Sequence, residues 1–376
     1  MRRTVCLAAD AMAYPAGGGH LWVYLNWALS LQAAGCRVIW LERVHPKQRP
    51  EHWVPLARKL VGGVRGLGFA GVLCAYRTVE GEPLEEAPPG TMALRDALSA
   101  DALISLRYGL NGDIVRRFRR SALVDIDPGL LQVWAAQGQV ALPRYSRYFT
   151  IGENMSGPAS RIPDTGHAWT HIPPCVALDA WASGPPPAGA RFTTVTHWYA
   201  DEWVTDRGDT YCNNKREGFL PYLDLPAQTS APLELAACLG HDPLERAGLE
   251  RRGWSIKEAA EVSGTPANYR EYIRGSLGEF SCAKPSCLRL QAAWASDRTI
   301  CYLAAGRPVV VQYTGPSRFL PDAGGMFRFH TPDEAARALE AVMNDYAAQS
   351  VLARRLAEDY FDGRRVAARV LDELIG

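Results

Sequence analysis

The stretch "YPAGGGHLWVYLNWALSLQAAGCRVIWLE", Tyr14 to Glu42, places three glycines and a histidine at the mouth of an apolar helix. The segment before it, "TVCLAAD", reads as a buried strand, and "CRVIWLE" at its end reads as a second. Leu21, Leu25, Ala28 and Leu29 recur near the helical period, and Gly35 supplies a stop before the second strand. Strand, glycine loop, helix, strand is the opening of a right-handed βαβ crossover. Such a loop presents backbone N–H groups at the positive end of a helix, where an anion is favoured. The stretch therefore predicts an α/β fold in which Gly17, Gly18 and Gly19 lie beside a negatively charged ligand.

The same rhythm continues outward. "ALISLRYG", "SALVDIDPG" and "RYFTIGEN" read as strands, with "GDIVRRF" and "LLQVWAAQG" as helices between them. This alternation predicts a parallel sheet covered on both faces. Residues 45–99 are too irregular to order. A proline-rich segment over residues 172–190 opposes both helix and central strand, and marks the best boundary between two domains. Beyond it "RFTTVTHWY", "LGEFSCAKP", "RPVVVQYTG" and "GMFRFHT" read as strands, and "TPANYREYIRG" and "DRTICYLAAG" as helices. "TPDEAARALEAVM" opens a final helical region at a Thr-Pro cap. The expected division is residues 1–178, residues 186–356, and a last helix over 357–376 that returns to the first domain.

Composition narrows the class. A chain of 376 residues exceeds one ordinary core. Its 41 basic and 40 acidic side chains leave a net charge of +1, so no overall field recruits nucleic acid or an anionic membrane. The basic run "RRFRR", Arg116 to Arg120, reads as a solvated helix face. No apolar run approaches the roughly 20 residues of a membrane span, and "MRRTVCLAAD" turns polar at Asp10, too early for a secretory leader. The 9 cysteines are scattered, without a paired C-x-x-C framework. Reduced thiols in a cytoplasmic protein are expected, with no metal role for Cys282 and Cys287.

The segment "SDRTICYLAAGRPVVVQYTG", Ser296 to Gly315, narrows the function. It resembles the donor-site helix and following strand of GT-B glycosyltransferases, in particular their group-1, family-4-like branch. Ala305, Gly306, Arg307, Pro308, Val309 and Val310 carry the match. The glycine loop with its helix, and "HIPPCVALDAW" from His171 to Trp181, resemble that family's first loop and interdomain segment. The resemblance implies two Rossmann-like domains facing across a cleft. It also implies transfer of a sugar from a nucleotide-activated donor, linked to UDP, GDP or TDP, to a hydroxyl-bearing acceptor. Neither cofactor nor metal is expected, since "DID" at Asp125 to Asp127 is a weak match to a metal motif.

Such a transferase must stabilise a nucleoside diphosphate as it leaves, and helix N-termini with cationic side chains do so. Asp297 is the expected N-cap, with Arg298 and the backbone N–H of Thr299 meeting diphosphate oxygens. Lys215 and Arg216 stand where the family places a basic pair, Lys284 is a further cation, and Glu279 is a partner for a ribose or sugar hydroxyl. His20 has the chemistry of a general base for the acceptor hydroxyl, oriented by Asp125 or, preferred, Asp127. His197 is the weaker alternative base, and Trp22, Trp198 and Trp203 are candidates for a stacking platform. Retaining relatives carry two glutamates eight positions apart, which here fall on Ala293 and Cys301, so stereochemistry stays open. Three other readings compete. A dehydrogenase is disfavoured because Trp22 replaces the third glycine of G-x-G-x-x-G. An epimerase or phosphorylase on the same scaffold and a silent nucleotide-sugar binder remain.

Overall fold

A computed structural model of the chain describes residues 2–45, 47–79, 82–83, 90–157, 160–240 and 242–376. The first unit carries β1 (Thr4–Ala9), β2 (Arg37–Val44), β3 (Val72–Val79), β4 (Glu82–Pro83), β5 (Ala102–Ser105), β6 (Ser121–Asp125), β7 (Arg147–Thr150) and β8 (Trp169–His171). They form one sheet in the order β4-β3-β2-β1-β5-β6-β7-β8, parallel except for β3 with β4. The second unit carries β9 (Phe192–His197), the hairpin β10 (Trp203–Asp206) and β11 (Asp209–Cys212), then β12 (Leu233–Cys238), β13 (Ser255–Glu258), β14 (Gly278–Ser281), β15 (Val309–Gln312) and β16 (Met326–Phe329). Its main sheet is wholly parallel, in the order β13-β12-β9-β14-β15-β16. Continuous burial along β1, β5 and β6 is what helices on both faces of a parallel sheet produce.

In each sheet the strand order reverses beside the unit's own first strand, between β1 and β5 and between β9 and β14. In open α/β sheets, ligands gather at the carboxyl ends of the strands at such reversals. Every strand read from the sequence is present. The helices missed are instructive: Pro50–Arg65 holds Pro55, Gly62 and Gly63, which hide its period. The β10–β11 hairpin was also unforeseen; Arg207 and Gly208 take φ of 51° and 89°, the signature of a tight turn matched to strand twist. The "RRFRR" run is only part helical, since its helix ends at Arg116, but its arginines are exposed around buried Phe118.

The helix Gly18–Ala33 joins the two units. It packs against Pro266–Arg274 of the second unit and against the C-terminal helix Gly363–Ile375. One continuous hydrophobic cluster includes Val5, Leu25 and Ala28 from one side and Ile300, Tyr302 and Leu303 from the other. Trp22 is buried in this seam, donating Nε1–H to Pro266 O at 2.7 Å and lying 4.6 Å from the Trp181 ring. Trp198 is buried in the second unit's core. Neither is a stacking platform; Trp203 alone of the three is exposed. The last region is two helices, Tyr346–Tyr360 and Gly363–Ile375, so position 357 falls inside the first of them. Arg307 of the "AAGRPVVV" motif is buried and donates to the carbonyls of Gly184 and Arg274, fastening the interdomain segment. No helix among the described residues is long and apolar enough to cross a membrane.

The glycine loop has a packing purpose. A Cβ on Gly18 would overlap the carbonyl oxygens of Ser263 and Thr265, and one on Gly19 would stand 2.8 Å from the Tyr269 ring. Both glycines let the helix mouth press on the second unit. Gly18→Ala is therefore expected to cost about 1–3 kcal/mol, the range for overpacking a close contact. Urea unfolding measures it; an unchanged midpoint would mean that the two units do not meet there.

Candidate active site

At the carboxyl end of β1, Asp10 pairs with Arg107, which follows β5 on the other side of the sheet reversal. The buried Glu42 carboxylate accepts from Ala11 N at 2.9 Å, Met12 N at 3.3 Å and Trp40 Nε1 at 2.8 Å, shaping the turn after β1. Burial pushes Glu42 up to about 7. His20 sits on the first turn of the helix Gly18–Ala33, half-buried. Its Nε2 lies 3.2 Å from Asp10 O and 3.4 Å from Tyr24 Oη. A carbonyl only accepts, so Nε2 carries a proton, and in the neutral ring the lone pair is then on Nδ1. The main-chain carbonyl of Asp10 thus holds the ring.

Asp127 does not orient His20 through a hydrogen bond. It accepts from Tyr108 Oη at 3.1 Å. Asp125 is the buried hub behind it, accepting from Gln132 Nε2 at 2.9 Å, Thr150 Oγ1 at 3.0 Å and Asp127 N at 3.0 Å. This hub fixes the loop that presents exposed Asp127 to the second unit. There Asp127 feels the charges of Lys284, Glu202 and His20. Asp125 is raised to about 7, chiefly by burial.

On the facing side, the N-cap of the helix Asp297–Ala304 is Ser296 and not Asp297. Ser296 Oγ accepts from Thr299 N at 3.0 Å, so that amide is spent on the cap and is not free for a phosphate. Asp297 follows as the first helical residue. Arg298 turns toward the sheet reversal of its own unit, donating to Glu279 Oε1 at 2.7 Å, Val195 O at 3.0 Å and Ser281 Oγ at 2.6 Å. Glu279 is fully buried and anchors Arg298; it does not present a carboxylate to a sugar at the surface.

Lys215 is buried, donates Nζ–H to Cys282 O, and is pushed down to about 7 by burial and then by Arg298. A small recess of about 20 Å³, room for about one water, collects Lys215, Arg298 and Thr299 with the hydroxyls of Ser281 and Ser296. Arg216 points elsewhere, paired with Glu245 at 2.7 Å. Lys284 pairs with Glu202 at 2.7 Å. Of the residues singled out in the sequence, the structure thus gathers Lys215, Arg298 and Thr299 at one cavity, with His20 and Asp127 on the first unit. His197 accepts or donates to Tyr14 Oη at 2.9 Å across the interface. Among the described residues no group of three or more His, Cys, Asp or Glu side chains is placed to hold a metal. Asp10, Arg107 and Tyr108 escaped sequence reading, although all follow strands that it located.

Asp297 is raised to about 7 by burial and by the charge of Asp127. Its unfolded form ionises near the usual carboxylate range, so between about pH 4 and pH 7 the folded chain binds the extra proton. Stability from this group is therefore lost as pH rises through that window. Asp297→Asn should raise the melting temperature at pH 7.5 and flatten its fall between pH 5 and pH 7.5. A variant whose pH profile parallels the parent would refute this.

No protein-family model matches the chain, and no curated protein does. Solved structures do. HepE from Anabaena in complex with UDP aligns over 99% of both chains at 11% identity, with a TM-score of 0.54. Sucrose-phosphate synthase from Thermosynechococcus elongatus covers 99% of this chain and 98% of its own, at 14% identity and a TM-score of 0.55. AviGT4, a glycosyltransferase involved in avilamycin A biosynthesis, covers 99% and 96%, at 13% identity and 0.57. Two parallel sheets with facing carboxyl ends, aligned along their whole length with these enzymes, give this chain the GT-B fold.

Proposed function

We propose that the chain is a glycosyltransferase that moves a sugar from a nucleotide-sugar to a hydroxyl-bearing acceptor. The observation that carries this reading is the facing of two chemistries: a histidine with a free ring nitrogen on one unit, and buried cations at a capped helix on the other. The fold is shared with HepE, solved with UDP and with UDP-glucose, which favours a uridine donor.

In this reading the diphosphate lies across the mouth of the recess of Lys215 and Arg298. Positive charge there stabilises the negative charge that builds on the leaving oxygen. Lys215 in its protonated form supplies this charge, while the charge of Arg298 is offset by Glu279. His20 Nδ1 takes the proton of the acceptor hydroxyl as its oxygen attacks the anomeric carbon and the nucleoside diphosphate departs. Asp127, held by Tyr108, accepts hydrogen bonds from sugar hydroxyls in the cleft. The positions of the family's two glutamates are buried Ala293 and Cys301, so a carboxylate pair takes no part, and an inverting displacement is the simpler course. A cytoplasmic location accords with the free thiols.

Thermal shift with UDP-, GDP- and TDP-sugars, followed by turnover assays, tests the proposal. A UDP-sugar should raise the melting temperature, since a ligand of the folded state stabilises it. His20→Ala should lower turnover by about 10²–10⁴-fold, the usual worth of a positioned base, with donor affinity retained. Lys215→Ala should instead weaken donor binding. No shift with any nucleotide-sugar, or full turnover in His20→Ala, would overturn the assignment.

A further inference from the structure

A second cavity lies beside Tyr14 and has a different character. It holds about 110 Å³ of space that solvent can reach, room for a small apolar group. Its walls are the turn after β1, the helix Pro50–Arg65, the start of the helix Gly18–Ala33 and the loop Gly264 to Pro266. Ala11, Met12, Leu21, Leu56, Leu60 and Pro266 line it, with Lys59 exposed at the mouth. Leu56 and Leu60 pack on the core yet stay only partly buried.

Gly63 explains how the space stays open. It lies in the last turns of its helix, where alanine would be the better helix former. A Cβ there would meet nothing within 4 Å, so no neighbour demands a glycine. Its absence of side chain leaves volume. An apolar wall facing an empty volume forgoes dispersion contacts that a bound apolar group would restore.

The place of the cavity gives it a use. Tyr14 forms part of its wall, and the Tyr14 ring also meets the His20 ring edge-on at 6.1 Å between centroids. Tyr14 is held there by the bond of its hydroxyl to His197 and remains 43% exposed. A molecule seated in the cavity would reach past Tyr14 to the proposed base. We infer that this cavity binds an apolar group carried by the acceptor, an alkyl chain or an aromatic ring close to the reacting hydroxyl. The inference rests on the transferase reading, but the cavity's ligand can be tested without it.

Titration calorimetry with octyl β-glucoside below its micelle concentration, 4-methylumbelliferone and methyl β-glucoside separates the sources. Binding of the octyl compound points to a lipid-like acceptor, binding of the umbelliferone to a flat aromatic one, and methyl β-glucoside should bind at least tenfold more weakly than the better of the two. Gly63→Phe fills the cavity and should weaken the apolar ligand at least tenfold, while Gly63→Ala should bind it like the parent. Melting temperatures confirm folding; if Gly63→Phe does not fold, Leu56→Trp narrows the same wall. Failure of both apolar probes to bind, or an affinity untouched by the filling variants, overturns the inference. Apolar binding abolished by Gly63→Phe, without sugar transfer to any probe, supports the cavity and counts against the transferase. Transfer to methyl β-glucoside as efficient as to the apolar probes supports the transferase and overturns the cavity's role.

Discussion

The buried side chain of Asn26 holds the two units in register. Its amide oxygen accepts from Ala177 N at 3.2 Å and Trp181 Nε1 at 3.1 Å, and its amide nitrogen faces Cys301 Sγ at 3.5 Å. One residue of the first unit's leading helix thus ties the interdomain segment and the helix that opens at Ser296. Removing one member of such a buried set leaves donors without partners, which costs more than the bonds themselves contribute. Because His20 lies on the same helix as Asn26, the bonds that join the units also fix the proposed base relative to the second unit. A second clasp lies across the cleft, where Val204 of the β10–β11 hairpin packs with Leu130, Val133 and Ile162 of the first unit. Opening the cleft by a hinge would have to break one of these contacts, so access and interface stability are coupled.

Much of this was legible in the sequence, for a reason that lies in the fold. Parallel strands buried on both faces leave uninterrupted apolar runs, and β1, β2, β5, β6 and β15 stand out accordingly. The helix Pro50–Arg65 did not, because Pro55 and its paired glycines mimic a loop. The same ambiguity governed Gly17 to Gly19. A glycine signals that the backbone must approach something closely, but not whether that is a phosphate or another chain segment. Here Gly18 meets the carbonyls of Ser263 and Thr265, 245 or more residues away in the chain, and no local pattern encodes such a meeting. Arg298 and Glu279 were both singled out by type. That they neutralise each other was not visible, since the strand and helix that carry them face one another only once the second sheet has formed.

The positions that would hold the retaining glutamates show how the interface and the chemistry constrain each other. Cys301 is buried between Asn26 and the carbonyl of Asp297, to which its thiol donates at 3.1 Å. A glutamate there would bring an ionised carboxylate into the seam between the helices, where desolvation is costly. The Arg298 guanidinium is already committed to Glu279 and to the β9 carbonyl of Val195. A chain that seats its first helix this tightly against the helix Asp297–Ala304 leaves no place for a carboxylate at that site. Its acidic groups lie instead at Asp127 and Asp297, each bordering the cleft from its own unit, and the charge of Asp127 raises the proton affinity of Asp297. Chemistry that depends on a histidine held by a backbone carbonyl is compatible with this packing; chemistry that depends on a glutamate in the seam is not.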